Sequence, residues 1–409
     1  MKHKTAALIK SAVTVALAAS SLLAPLTPAK SIRPSPAAPA RPDPETLLIS
    51  IYKDLQASQL NEAQAKADAL VEAYPNFRVG HLIRGDLLMM HAQPVTAFGG
   101  GAGASAPADK LKDLRDEARA RLTALTARPN PELAPRSVLQ LRADQRNVLV
   151  VDAKQSRLYV YENDNGQLKF VTDYYISQGK LGIHKLREGD QKTPVGVYYI
   201  TGRVSGARLP DFYGASALRI NYPNEWDRAN DRSGSGIFLH GTPSDTYSRP
   251  PLASDGCVVL TNADLKKLEA NVDIGKTPVV IAEKVEFISR SQWDSERSTA
   301  VRLMDAWRAD VESTSQARVL KHYSAKFKSG QGEDLKTWYA KDMQPLLGTA
   351  GISAKLSDVT LFRYPGRDDM IVSSFTLETM AGKTKTSTRK RQYWAREGAN
   401  WKIVNESPI

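Results

Sequence analysis

A single thiol occurs in 409 residues, Cys257, and it follows His240 by seventeen positions. The stretch 233–262 reads SGSGIFLHGTPSDTYSRPPLASDGCVVLTN. An apolar run, Ile237-Phe238-Leu239, delivers His240-Gly241; a proline-containing loop follows, and Ser254-Asp255-Gly256-Cys257 leads into a second apolar run, Val258-Val259-Leu260. A loop of that length returns the chain, so two strand ends can bring the two side chains together. A free thiol with a pKa near ~8.5 is mostly protonated at neutral pH; a neighbouring imidazole can take the proton, hold the thiolate and return the proton to a leaving amine. Gly241 lets its carbonyl approach the other ring nitrogen and fix the tautomer without a carboxylate or amide side chain. Gly256, in a loop with Ser254, leaves room for a substrate carbonyl beside the sulfur and turns backbone N–H groups, its own and that of Cys257, toward a developing oxyanion. Lys185 and Arg249 either meet a substrate carboxylate or are solvated surface charges. Glu188 and Asp190 look like an acid/base pair, but the Thr193-Pro194-Val195-Gly196 that follows reads as turn architecture. His81, His91, His184 and His322 stand alone. No His/Cys/Asp cluster has metal-ligand spacing, so no metal and no other cofactor is expected.

Such residues need strands and turns to hold them. From Asn147 the chain becomes β-rich: 147–152 (NVLVVD) and 157–162 (RLYVYE) are β-branched and aromatic, a turn at 163–166 leads to a run at 170–176, and 195–201, 236–239 and 278–282 continue the pattern. A mostly-β domain over 147–284 therefore carries the Cys/His pair. Upstream, 46–142 reads as an α-helical module: Leu48, Ile51, Tyr52 and Leu55, then Ala63, Ala67, Leu70 and Val71, then Val79, Leu82, Ile83 and Leu87 recur at helical spacing, with breaks at Ser58-Gln59 and Pro75-Asn76. It lacks residue types for chemistry and suits packing or homodimerisation. Downstream, 291–409 opens on a helical stripe, Ala300, Met304, Trp307 and Val311, and ends in strand alternation through Ile371, Ser373, Phe375 and Leu377, an α+β pattern.

Lys2, Lys4 and Lys10 precede an apolar stretch at 12–23 and a small-residue exit ending at Ala29, the order of a secretory signal peptide over 1–29. The apolar run is short for a membrane span of about 20 residues, which counts against an uncleaved anchor. A proline-rich linker, 30–45, follows. Export to a periplasm or cell envelope is the expectation, and there a lone cysteine has no internal disulfide partner. The net charge of +12 suits an anionic partner. No basic stripe interleaved with aromatics and no Gly-rich phosphate loop is present, so nucleic acid is not expected.

His240-Gly241 with Ser254-x-Gly256-Cys257 resembles the signature of the L,D-transpeptidase (YkuD) family. Gly179-Lys180, Lys185 and the run EGDQKTPVGVY at 188–198 resemble the family's approach to its site, and VLVVDAKQSRLYVYE resembles its opening strands. The resemblance covers about 135 residues, in family order. The last segment resembles the nuclear transport factor 2-like (SnoaL-like) cone, whose mouth can take a small ligand or a protein; the plainer reading is a docking domain without catalysis. The three-domain order resembles the cell-shape L,D-carboxypeptidases. The resemblance implies peptidoglycan stem peptides as partners: Cys257 attacks the bond to the terminal D-Ala of a tetrapeptide, D-Ala leaves, and an amine (transpeptidation) or water (trimming to a tripeptide) resolves the thioester. One departure bears on the acceptor, Val259 where the family usually has Arg. A non-catalytic peptidoglycan-binding scaffold is the rival of another class, and the intact Cys257/His240 pair counts against it. A general cysteine protease lacks its flanking motif here.

Overall fold

Leu48, Ile51, Ala63, Ala67, Leu70, Val79, Ile83 and Leu87 are all buried, and residues three and four apart share a face only if the chain coils. In the computed structural model, which describes residues 42–103, 106–126, 129–348 and 351–409, they lie on α1 (Pro44–Gln56), α2 (Leu60–Ala73) and α3 (Arg78–Met90), with α4 (Ala108–Thr126) packed against α1 and α3. Asp43 caps α1 by accepting from the Thr46 amide, and Pro44 stands at the helix start, where its missing N–H has no partner to lose. The basic and apolar leader and the linker as far as 41 lie outside the described residues. The helical character stops short of 142. Past Pro129 and Pro131, which cannot continue a helix, the chain forms β1 (Leu133–Pro135) and β2 (Val138–Gln140).

The middle segment holds β3 (Asn147–Asp152), β4 (Arg157–Asp164), β5 (Gln167–Tyr175), β6 (Gln178–Gly179), β7 (Gly196–Ser205), β8 (Ser216–Ile220), β9 (Phe238–His240), β10 (Leu252–Ser254), β11 (Val258–Val259) and β12 (Pro278–Ala282), with α5 (Glu225–Ala229) and α6 (Asn262–Glu269) between them. Eight strands make one sheet in the order β11-β9-β8-β7-β12-β3-β4-β5, and β6 pairs with β10 beside it. Every residue of β3 is buried because both faces of the sheet are covered. Leu149 and Val151 join a core with Leu239, Val258 and Leu265; Val148 and Val150 join one that continues to Trp293, Trp307 and Trp394.

Those tryptophans belong to the last segment: β13 (Phe287–Ser289), α7 (Arg290–Glu312), β14 (Tyr323–Ser329), β15 (Ser353–Arg363), β16 (Met370–Ala381), β17 (Thr384–Glu397) and β18 (Asn400–Pro408). The stripe Ala300, Met304, Trp307 and Val311 is the buried face of α7. The sheet runs β14-β18-β17-β16-β15-β2, so β2 completes it as an edge strand, and β1 pairs with β13. The link between the helical and β-rich segments is thus stitched into the third. A second junction centres on α5, whose Glu225 carboxylate accepts from Arg391 Nη1 (2.7 Å) and the Tyr393 hydroxyl (2.9 Å), while Trp226 stacks on Tyr393. Burial alone would raise the Glu225 carboxyl; Arg391 and these hydrogen bonds hold it below its ordinary value.

Candidate active site

Parallel pairing of β9 and β11 sets Leu239 opposite Val258 and His240 opposite Val259. Side chains alternate along a strand, so Cys257, one residue before β11, falls on the face that carries His240. Strand spacing and rise put the two Cα atoms roughly 8 Å apart on the diagonal. The imidazole is fully buried, and its Nδ1 lies 2.7 Å from the Gly241 carbonyl oxygen. That carbonyl can only accept, so Nδ1 carries the proton and Nε2 the lone pair. Nε2 is buried without a hydrogen-bond partner. The thiol points at the Gly236 carbonyl, 3.5 Å away. Burial pushes the imidazole down to about 4, with the Gly241 carbonyl opposing and Arg249 reinforcing. Burial pushes the thiol up to about 11, opposed by the Phe238 amide, Arg249 and Lys185 and reinforced by Asp255. At neutral pH the resting pair is therefore thiol and neutral imidazole.

Gly241 and Gly256 are required by space. A Cβ on Gly241 would run into Asn262 Oδ1, which accepts the Ala215 amide (2.9 Å) while Nδ2 donates to the Thr242 carbonyl (2.8 Å). Gly256 has φ +128°, and a Cβ there would sit 2.7 Å from the Lys192 carbonyl. The expected pair of oxyanion donors is corrected, however. The Gly256 amide donates to Ser254 Oγ (3.1 Å), and the Ser254 hydroxyl donates to the Cys257 carbonyl (2.6 Å), so Ser254 staples the turn and consumes one donor. Of the two amides, that of Cys257 remains.

Neither Lys185 nor Arg249 is a solvated charge. Lys185 is buried, its Nζ donating to Asp190 Oδ1 (2.8 Å) and the Arg187 carbonyl (3.0 Å). Asp190 also accepts the Leu186, Arg187 and Lys192 amides, so it organises a turn. Arg249, on the loop between His240 and Cys257, donates to the Phe212 carbonyl (2.9 Å) and lies 4.1 Å from the centre of the Phe212 ring. The Asp255 carboxylate turns outward to Lys180 (3.0 Å). Val259 is buried, with its amide and carbonyl both bonded to Ser177. The sequence reading missed three neighbours. The Phe212 and Tyr213 rings pack on the imidazole, the Tyr213 carbonyl accepts the Gly241 amide, and Asn262 fills the space beside Gly241. The adjacent aromatics Phe212-Tyr213, in a loop punctuated by Gly206, Pro210 and Gly214, were the available signal. Among the described residues no cluster of His, Cys, Asp and Glu is arranged to hold a metal ion, and no helix is long and apolar enough to cross a membrane.

Residues 146–281 match the L,D-transpeptidase (YkuD) catalytic domain, and 299–407 match the Cds6 C-terminal NTF2-like domain. YafK of Escherichia coli K12, a protein assigned by name to the L,D-transpeptidases, is 27% identical over 116 residues, 28% of this chain and 42% of its own, so the match spans under half of that relative. Bd1075 of Bdellovibrio bacteriovorus is 29% identical, with a TM-score of 0.60 over 68% of this chain and 98% of its own. The helical cell shape determining protein Pgp2 of Campylobacter jejuni has the same fold at 23% identity, with a TM-score of 0.57 over 66% of this chain and 95% of its own. Residues 146–281, which carry His240 and Cys257 on one face of their sheet, thus match a catalytic domain of the L,D-transpeptidase (YkuD) family, and the match to an NTF2-like domain follows them in the chain.

Proposed function

We propose that the protein is an exported cysteine L,D-transpeptidase that acts on peptidoglycan tetrapeptide stems. The observation that carries the reading is the buried, partnerless Nε2 of His240, its tautomer set by Gly241, on the face that bears the chain's one thiol. Sγ leaves the Gly236 carbonyl and gives its proton to Nε2. The thiolate attacks the carbonyl carbon of the diaminopimelate- or lysine-to-D-Ala bond. The resulting oxyanion meets the Cys257 amide. As the C–N bond breaks, Nε2–H protonates the departing amine, leaving a Cys257 thioester and free D-Ala. An acceptor amine then gives a cross-link or an exchange product. The 1–29 leader supports export.

A second reading, trimming of the tetrapeptide to a tripeptide by water, is favoured by Val259: an apolar residue there offers an acceptor stem no charge. Similarity to a helical cell shape determining protein supports a role in wall remodelling under either reading. The NTF2-like domain serves as a docking domain. Mass identification of products from one defined tetrapeptide preparation separates the readings. Cross-linked dimers or D-amino-acid exchange products support transpeptidation, tripeptide monomers alone support trimming, and no product from a protein whose thiol alkylates normally would refute both.

A further inference from the structure

The loop between the base and the nucleophile is gripped from outside the catalytic domain. Tyr247 packs its ring between Tyr74 (centroids 5.2 Å) and Phe77 (4.7 Å) at the α2–α3 turn. The next residue, Ser248, donates its hydroxyl to Glu117 of α4 at 2.6 Å. Glu117 is buried and paired with Arg121, which is itself buried and ion-paired with Glu45. The Arg121 guanidinium lies 4.0 Å from the Tyr175 ring centre, and the Tyr175 hydroxyl donates to the Arg249 carbonyl (2.9 Å). Three consecutive loop residues, 247 to 249, are thus tied to the helical module directly or through Tyr175. The third is the cation that lies on Phe212, whose ring is 5.8 Å from that of His240.

We propose that the helical module is a positioning element for the catalytic pair: Tyr247 and Ser248 are its handles, and what they position is the Arg249 guanidinium beside Cys257 and His240. The inference rests on the acyl-transfer reading only for the identity of the reacting thiol. Two features favour a positioning role over mere docking. The contact falls on the segment that joins His240 to Cys257, and the buried Glu117–Arg121 pair costs desolvation that a simple apolar docking face would avoid. The other charges acting on Cys257 are Lys185, which favours the thiolate with Arg249, and Asp255, which opposes it; His240 is the titratable ring on the same face.

The test uses full-length protein carrying Tyr247→Ala, Tyr247→Phe, Arg249→Gln, or Tyr247→Ala with Arg249→Gln. Iodoacetamide alkylation of Cys257 is followed by intact mass from neutral to alkaline pH, with folding checked by circular dichroism. Tyr247→Ala and Arg249→Gln should each slow alkylation at neutral pH by about tenfold and move the profile to higher pH, the consequence of displacing a nearby cation. Tyr247→Phe, which keeps the ring contact, should follow the parent. The double variant should be no slower than Arg249→Gln alone, since both changes act through one group. An unchanged profile in Tyr247→Ala, or additive losses in the double variant, would overturn the proposal. If Tyr247→Ala does not fold, Ser248→Ala removes the Glu117 contact alone and must shift the profile in the same direction for the proposal to stand. Muropeptide turnover by the parent separates the two ideas, because a shifted profile without any turnover sinks the acyl-transfer reading and leaves the positioning role intact.

Discussion

Asp190→Asn tests whether the turn before the catalytic strands is held by charge. The Asp190 carboxylate, part-buried, accepts from Lys185 Nζ and from the Leu186, Arg187 and Lys192 amides at 2.7–3.2 Å. Burial alone would raise its pKa, yet Lys185 and the three amides pull it from 3.8 to about 2. That depression corresponds to about 2 kcal/mol of stabilisation of the folded turn. Because the folded pKa lies below the unfolded one, the stabilisation is fully present above pH 3.8 and is lost as pH falls through 3.8 toward 2. Asparagine keeps one acceptor but turns an N–H₂ toward donors and leaves Lys185 buried without its counter-charge. Native-state hydrogen exchange reads the turn directly: at neutral pH the Leu186 and Arg187 amides of the variant should exchange roughly 30-fold faster than in the parent. The gap should close as the pH approaches 2. Equal protection at neutral pH, or a gap that persists in acid, would refute the charge-based account. Since Lys192 supplies the carbonyl against which Gly256 packs, slower Cys257 acylation by a carbapenem should accompany the loosened turn.

Four further outcomes follow, three from the site and one from the α5 junction. Cys257→Ala should abolish the single covalent adduct that a carbapenem forms with the parent, and His240→Ala should slow that acylation by about 10²-fold or more in a protein with an unchanged circular dichroism spectrum. The acidic limb of the acylation rate should lie near pH 4, where His240 protonates, and not near the 6.5 of an exposed histidine, because burial disfavours the imidazolium; stopped-flow acylation against pH measures it. Glu225→Gln, which leaves Arg391 buried opposite a neutral amide, should lower stability by about 3 kcal/mol, read as a lower denaturation midpoint in guanidinium chloride.

How much of this was legible in the sequence depended on the range of the forces involved. The Cys/His pair could be read because its chemistry is local: a histidine and a cysteine at two strand ends, each beside a glycine, leave few other arrangements. Helix and strand character was legible where one periodicity ruled, as in α3 or β3. The end of the helical module was misplaced because 129–142 carries no strong local preference; what makes β1 and β2 strands is pairing with residues more than 150 positions away. In the sequence Lys185 and Arg249 read as meeting a substrate carboxylate or as solvated charges; both are buried, and their burial follows from Asp190 and Phe212, contacts that spacing does not specify. The Gly256 amide was assigned to the oxyanion because a glycine before a nucleophile invites it, and the Ser254 hydroxyl captured it first.

Val259 and Arg249 are best understood together. An arginine at 259 would have to rise from a buried strand position whose backbone is already tied on both sides to Ser177, on the face shared with His240. In this chain that position is filled by an apolar side chain, and the guanidinium near the catalytic pair comes from the loop at 249. A cation fixed to a sheet strand is positioned by the sheet itself. One carried on a loop is positioned by whatever grips the loop, here Glu117, Tyr74 and Phe77 of the helical module. The loop on the other side of the thiol is held from a different domain, since the Tyr364 hydroxyl donates to the Val195 carbonyl (2.9 Å) just past the turn that supports Gly256. Both flanking modules therefore press on the two segments that shape the space around Cys257. An isolated 146–281 fragment would keep His240, Arg249 and Cys257 and lose much of what orients them, so its thiol should alkylate with a profile like that of Arg249→Gln even where its sheet remains folded.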